Sequence, residues 1–295
     1  MLRLLHYSDV HLTVPELGWR PRDVVSKKVL GWVNVRLLGR GHRFKHAAGV
    51  AAEMIAEAER RGHDGILFSG DATKLAFEPE FAFAAETLRV GSGSLPPMIA
   101  VPGNHDYYTR SDIDRGHFER HFGPCLLGER IGDHPYPFAR KIGHAWIVAV
   151  CSSFPSTMNL TASGGIGTEQ LERLKLLCDR LDDGPRILLT HYPLRDSRGR
   201  VERRSHRLRD HRAALETARA CGIRLWLHGH IHKPFVLPPS RDIPFPIICA
   251  GSATQTNKWA HNEYVLDGTD LTMARRIWNP VERRFDSADT ASMKL

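Results

Sequence analysis

Three aspartates, an asparagine and five histidines stand in short polar blocks along this sequence, and their side chains are metal ligands by type. The blocks are Asp9-Val10-His11, Gly70-Asp71, Gly103-Asn104-His105-Asp106, His191, and Gly229-His230-Ile231-His232. A mixed nitrogen and oxygen donor set suits Mn²⁺, Fe or Zn²⁺ better than Ca²⁺ or Mg²⁺, and the absence of thiolate argues against a structural zinc knot. Asp-x-His places alternate side chains on one side of an extended segment, so Asp9 and His11 can reach one ion. His230 and His232 have the same spacing, and where a turn opens their rings can diverge to two ions. Asp71 has two oxygens and can bridge a pair. Two ions about 3.5–4 Å apart clamp a phosphoryl oxygen and generate hydroxide near neutral pH. Phosphorus shielded by anionic oxygens needs both that neutralisation and an in-line nucleophile, and a metal-bound hydroxide supplies them.

Each block alone has a plain structural reading. Asp-x-His and Gly-Asp are ordinary strand-end turns, and a lone His191 is more often a packed histidine than a ligand. What separates the set from chance is position: every block follows directly on an apolar run of strand length. Leu2 to Tyr7, Gly65 to Phe68, Met98 to Val101, Ile187 to Leu189 and Leu225 to Leu227 are those runs. Loops at the carboxyl ends of strands are where α/β sheets assemble sites from residues distant in sequence.

The elements between them fit that frame. His46 to Arg61 carries Val50, Ala51, Met54, Ile55 and Ala58 on one face and reads as a helix. Glu78 to Val90, Ser111 to Phe122, a helix from Thr168 with Leu171, Leu174, Leu177 and Leu181, and His211 to Cys221 are further helices. Trp146 to Val150 is a strand, and Pro246 to Cys249, Glu263 to Leu266 and Leu271 to Arg276 read as later, partly antiparallel strands. Strands alternating with helices predict an α/β layered domain. One domain over 1–278 and a polar, poorly ordered tail over 279–295 is the simplest organisation. The segment from Arg20 to Lys45 breaks the alternation: Arg20, Arg22, Lys27, Lys28, Arg36, Arg40, Arg43 and Lys45 interleave with Val25, Val29, Leu30, Trp32, Val33, Leu37 and Leu38. It reads as an inserted basic amphipathic helix, open to three roles: a solvated helix packed on the core, a membrane-interface helix or an oligomer contact.

Composition sets the outer limits. The 295 residues are 42% hydrophobic and 25% charged, enough for a large core without staples. A net charge of +8 favours anionic partners, that is, phosphorylated small molecules, lipid surfaces or nucleic acid; nucleic acid is the weakest of these, because no aromatic-basic stacking surface is evident. Five widely spaced cysteines indicate neither a disulfide framework nor a cysteine zinc site, and a cytoplasmic location, with peripheral attachment to the inner face of the membrane through the basic segment, is expected. No segment has the length of a membrane span. The histidines outside the blocks, His206 and His228 among them, are expected at the surface or in packing.

The order D-x-H, G-D, G-N-H-D, H, G-H-x-H resembles that of the calcineurin-like metallophosphoesterase superfamily, over residues 9 to 232. The resemblance implies a four-layer α-β-β-α sandwich of two mixed sheets. It implies one ion on Asp9, His11, Asp71 and His232, and a second on Asp71, Asn104, His191 and His230, with Mn²⁺ the leading metal. It implies that His105 faces the leaving-group oxygen, that Asp106 orients His105 through a hydrogen bond, and that Gly251-Ser252-Ala253 supports the floor of the site. Asn104-His105-Asp106, His191-Tyr192-Pro193-Leu194 and the early basic insertion are similar to the UDP-2,3-diacylglucosamine pyrophosphatases that keep Gly-Asn-His-Asp, which implies a nucleotide-linked lipid as substrate. A class III cyclic-nucleotide or general phosphodiesterase shares every core motif and is the alternative. A non-catalytic metal-binding scaffold is the alternative from another class.

Overall fold

The computed structural model describes residues 1–37, 40–154 and 162–295. The chain opens with β1 (Leu2–Tyr7), then the short helices α1 (Pro21–Val24) and α2 (Lys27–Arg36), and then α3 (Ala47–Arg60), β2 (Gly65–Phe68), α4 (Glu78–Thr87) and β3 (Met98–Ala100). Helices α5 (Arg110–Arg115) and α6 (His117–His121) follow, then β4 (Glu129–Arg130), β5 (Phe138–Ile142), β6 (Ala145–Ala149), α7 (Thr168–Cys178), β7 (Arg186–Leu189) and α8 (His211–Ala220). The last strands are β8 (Ile223–His228), β9 (Phe235–Leu237), β10 (Ile247–Cys249), β11 (Ala260–Asp267), β12 (Asp270–Asn279) and β13 (Arg284–Lys294).

Two mixed sheets result. The first has the order β13-β12-β11-β1-β2-β3 and the second β4-β5-β6-β7-β8-β10-β9. Strands β1, β2 and β3 are parallel, and so are β6, β7, β8 and β10; the flanking strands pair antiparallel. Side-chain alternation makes the layers. Ile147, Ala149, Ile187, Leu189, Leu225 and Leu227 of the second sheet join the core shared with the first sheet and with Val50, Met54 and Ile55 of α3. Their neighbours Trp146, Val148, Leu188 and Trp226 face the other way, onto Leu171, Leu174 and Leu177 of α7 and Ala214 and Ala218 of α8. Strands buried on both faces explain why the parallel runs read as continuously apolar in the sequence. All five cysteines are buried thiols without disulfide partners. Among the described residues no helix is long and apolar enough to cross a membrane.

Several sequence expectations change here. The expected basic helix over 20–45 is broken into α1, α2 and a 3₁₀ turn at Arg40–Phe44, with Leu38 and Gly39 outside the described residues. Ser26 is the physical reason for the first break: its side chain accepts from the Lys28 N–H and so caps α2. Lys28, assigned by pattern to a polar face, is 1% exposed. Its ammonium lies 2.7 Å from Asp112 Oδ1 and 3.8 Å from Asp23 Oδ1, and donates to the Ala76 carbonyl. The helix expected over Ser111–Phe122 is two helices, because Gly116 takes φ 59°, which closes α5 in a left-handed cap and starts α6. The expected tail is not loose. Residues 284–294 form β13, paired with β12 along its length, and Asn279 Oδ1 accepts from the N–H groups of Val281 and Glu282 to make the turn between them.

Candidate metal centre

The parallel strands of both sheets deliver their carboxyl ends to one place. Asp9 follows β1, Asp71 β2, Asn104 β3, His191 β7, and His230 and His232 β8. Backbone hydrogen bonds stitch these loops together: Asp9 N–H to the Gly70 carbonyl at 2.9 Å, His11 to Asp71 at 3.0 Å, Gly229 to His191 at 3.1 Å and Ala253 to Ser8 at 2.9 Å. The His230 N–H donates to Asp9 Oδ2 at 2.9 Å, which ties the β8 loop of one sheet to the β1 loop of the other. Ser252 Oγ donates to the Asp9 carbonyl at 2.7 Å and Thr254 Oγ1 to that of Val10, so the segment after β10 forms the floor.

Close approach is obtained with strained backbone and glycine. Asp9, His11, Asp71, His230 and His232 all have φ between 47° and 69°, a region that costs a non-glycine residue about 1–3 kcal/mol. A Cβ on Gly103 would collide with the Asp71 carboxylate, and one on Gly229 with Ser8 Oγ. Asp106 holds the strained loops in place. Its Oδ2 accepts from the N–H groups of Asp71 (2.8 Å), Ala72 (3.2 Å) and Gly103 (2.9 Å), and its Oδ1 from Thr73 N–H (3.0 Å) and Thr73 Oγ1 (3.2 Å). The expected hydrogen bond from Asp106 to His105 is therefore corrected. Both carboxylate oxygens are committed to backbone, and the His105 Nδ1–H donates to the Lys74 carbonyl at 2.6 Å.

The side chains form two overlapping groups. One donor atom from each of Asp9, His11, Asp71 and His232 lies within 4.8 Å of the others. Here Asp9 Oδ1 is 3.0 Å from His232 Nε2, and His11 Nε2 is 3.2 Å from His232 Nε2. The second group is Asn104 Oδ1, 3.1 Å from His191 Nε2 and 2.8 Å from His230 Nδ1, with the two rings 3.3 Å apart at those nitrogens. Asp71 Oδ2 belongs to both: it is 3.6 Å from His11 Nε2 and 3.5 Å from His191 Nε2.

Cations fit this arrangement on its own chemistry. His11 donates Nδ1–H to the Thr73 carbonyl (3.2 Å), His191 to the Ser69 carbonyl (2.7 Å) and His232 to Gln255 Oε1 (2.6 Å). Each of these bonds commits Nδ1 and turns Nε2 into the centre, the usual arrangement behind a metal-bound imidazole. His232 Nε2 faces both Asp9 Oδ1 (3.0 Å) and His11 Nε2 (3.2 Å), and Asp9 favours a proton there; a cation would take that proton's place between the three groups. Asp9 Oδ1 and His230 Nε2 are buried without a hydrogen-bond partner. Burial would raise the Asp9 carboxyl, yet the His232 and His11 rings hold it well below the usual carboxylate range. Burial, with the Asp9 and Asp106 carboxylates, pushes Asp71 well above that range. Burial also takes His11 down to about 4 and His230 well below its ordinary value, which keeps those two rings neutral, whereas the Asp9 carboxylate raises His232 against the effect of burial, so that ring would give up a proton on binding a cation.

A cavity of about 290 Å³ opens over the centre, bounded by His11, Asn104, His105, His230 and His232 from the motifs. Its other wall comes from the inserted segment, through Gly31, Asn34, Val35, Arg43 and Phe44. The sequence reading missed His206, whose ring is 6.2 Å from that of His230 at the cavity wall, and Gln255 behind His232. Neither sits in a block, so no local pattern marks it. Tyr108 lines the cavity, whereas Tyr107 turns its hydroxyl to Glu119. His228 packs against Phe235, with its Nδ1–H on the Gly229 carbonyl.

A family model for calcineurin-like phosphoesterases matches residues 2–234, and the chain belongs to that family. The dimetal phosphatase of Danio rerio superposes with a TM-score of 0.68 at 13% identity, covering 99% of this chain and 98% of that one. The purple acid phosphatase PPD1 of yellow lupin gives 0.63 at 12% identity, over 99% of this chain and 53% of its own. GAP50, the anchor in the inner membrane complex of Plasmodium, gives 0.53 at 13% identity, over 100% and 89%. At such identities the likeness is one of fold. Comparison with curated protein sequences gives no match. Family and fold make the chain a metal-dependent phosphoesterase by class.

Proposed function

We propose that the chain hydrolyses a phosphodiester or phosphoanhydride at two divalent ions, one on Asp9, His11, Asp71 and His232, the other on Asp71, Asn104, His191 and His230. The observation that supports this reading is Asp71 Oδ2, 3.6 Å from His11 Nε2 and 3.5 Å from His191 Nε2, between the two groups it would bridge. Bound ions would neutralise the phosphoryl oxygens and supply a nucleophile at neutral pH. His105 lines the same cavity, its ring 4.7 Å from that of His11 and turned by the Lys74 carbonyl so that Nε2 faces away from that bond. There, once protonated at Nε2, it would donate to the leaving oxygen. Asp106 acts by holding the Asp71 and Gly103 loops. The mixed imidazole and carboxylate set supports Mn²⁺, with Fe and Zn²⁺ next. Turnover of bis(p-nitrophenyl) phosphate or a 2′,3′-cyclic nucleotide by the Mn²⁺-loaded protein tests the reading, and inactivity across Mn²⁺, Fe²⁺ and Zn²⁺ on these and on phosphoanhydrides overturns it.

A finer reading is a lipid-linked substrate taken from a membrane surface, with UDP-2,3-diacylglucosamine as its leading member. Its support is the wall of the cavity that carries α1 and α2. Beside the basic Arg20, Arg22 and Arg36, the apolar Val24, Val25, Leu30 and Leu37 are exposed there, Val25 by 88% and Leu37 by 69%. Flotation with anionic and neutral vesicles tests the surface, and mass spectrometry for released UMP tests the substrate. No flotation and no UMP would remove this reading and leave the phosphohydrolase standing.

A further inference from the structure

Lys74 is 7% exposed and lines two cavities, that of the metal centre and a neighbouring one of about 450 Å³. His11, Val35 and Phe44 are shared between the two, so Lys74 stands in the partition. Among the described residues its ammonium makes no hydrogen bond and no ion pair; the Phe44 ring lies 5.3 Å from Nζ to centroid. Glu80, the carboxylate that acts on it electrostatically, is already engaged by Thr13 Oγ1 (2.5 Å) and by the N–H groups of Leu75 (2.9 Å) and Phe77 (3.2 Å). Arg36 lines the second cavity and adds positive potential, as do His42 and Lys45 when charged. A buried lysine normally has a carboxylate or a set of carbonyl acceptors. This one has its backbone carbonyl under His105 Nδ1 and its side chain in the lining of both cavities.

We infer that Lys74 binds a second phosphate, the one on the leaving-group side, and that the substrate class is a phosphoanhydride whose far group enters the cavity beside Arg36. This deepens the reading above and rests on it. The scissile phosphoryl group would lie over the carboxylate and imidazole cluster, with its bridging oxygen toward His105 and the second phosphate within the cavity lined by Lys74. Water oxygen bonds to the first phosphorus as the bridging P–O bond breaks. The bridging oxygen leaves with the second phosphate and takes a proton by way of His105, and two phosphate monoesters result. A monoester or a dialkyl phosphodiester has nothing to offer Lys74.

The test is calorimetric titration of the Mn²⁺-loaded protein with methylenediphosphonate and with methylphosphonate, on wild type, Lys74→Met and Lys74→Arg, with thermal melts and metal content to verify folding. The diphosphonate should bind wild type more tightly, and the ratio of the two affinities should fall about ten- to hundredfold in Lys74→Met, the range of one charge-assisted hydrogen bond, and recover largely in Lys74→Arg. The same ratio in all three proteins overturns the role of Lys74. Mn²⁺ dependence of methylphosphonate binding reports on the metal centre separately, so the two ideas fail by different observations. Steady-state kinetics on a nucleoside diphosphate sugar should show the same loss chiefly in KM; a fall in kcat alone would count against the subsite.

Discussion

The Nε2 atoms of His11 and His232 stand 3.2 Å apart across 221 residues of sequence, each ring locked by an Nδ1–H on a carbonyl oxygen. Asp9 Oδ1, 3.0 Å from His232 Nε2, favours a proton on that ring, which a cation would displace. The protein spends folding free energy on this geometry, in strained φ angles at five candidate ligand positions and in buried carboxylates, and a bound cation would return it.

Asp106→Ala should destabilise the fold by about 3–5 kcal/mol, because four backbone N–H groups and a hydroxyl lose their acceptor at once. Urea unfolding with metal chelated measures this. Were Asp106 only to orient His105, the midpoint would not move and kcat alone would fall.

Replacing Lys28 by Met should cost about 3–5 kcal/mol, since it leaves the buried Asp112 Oδ1 without its cation. The loss should be largely recovered in Lys28→Met combined with Asp112→Asn. A midpoint within about 0.5 kcal/mol of wild type for the single variant would show that the inserted segment is not anchored through this lysine.

His261 is buried with neither ring nitrogen hydrogen-bonded, and burial takes it down to about 3 from 6.5. A histidine with a lowered folded pKa binds its proton first in the unfolded chain, so stability is whole above pH 6.5 and declines as pH falls toward 3. Glu263 beside it, held at about 2 by His63 and Arg61 against the effect of burial, adds a loss below pH 4.5. His261→Leu should reduce the slope between pH 6.5 and 4.5 by the share of one histidine, leaving the shares of His6, His11 and His228 and the Glu263 part in place. An unchanged slope in that interval, followed by thermal melts across pH, would contradict this.

His105→Ala should lower kcat by roughly 10²–10⁴-fold with metal content near that of wild type, since His105 holds no ion. Inductively coupled plasma analysis beside kinetics on bis(p-nitrophenyl) phosphate makes the comparison. Equal loss of metal and rate would move His105 into the ligand set.

The candidate ligands were legible because each directly follows an apolar strand, and the strands were legible because burial on both faces leaves no polar interruption. Other features had no such signal. Asp106 looks like a partner for its neighbour His105, but its acceptors serve backbone N–H groups, and backbone leaves no trace in composition. Residues 284–294 alternate polar and small side chains along an exposed edge, so β13 has little apolar face to display. The 20–45 segment has helical periodicity, yet one serine cap interrupts it, and the burial of Lys28 depends on Asp112, distant in sequence. His206 and Gln255 come from loops whose approach only the assembled sheets determine.

Metal stoichiometry tests the central claim most directly. Reconstituted with excess Mn²⁺ and desalted, wild type should retain about two ions per chain, and Asp71→Ala, which removes the bridging carboxylate, should lose most of both. One ion per chain in wild type, or full retention by Asp71→Ala, would contradict a pair of ions sharing Asp71.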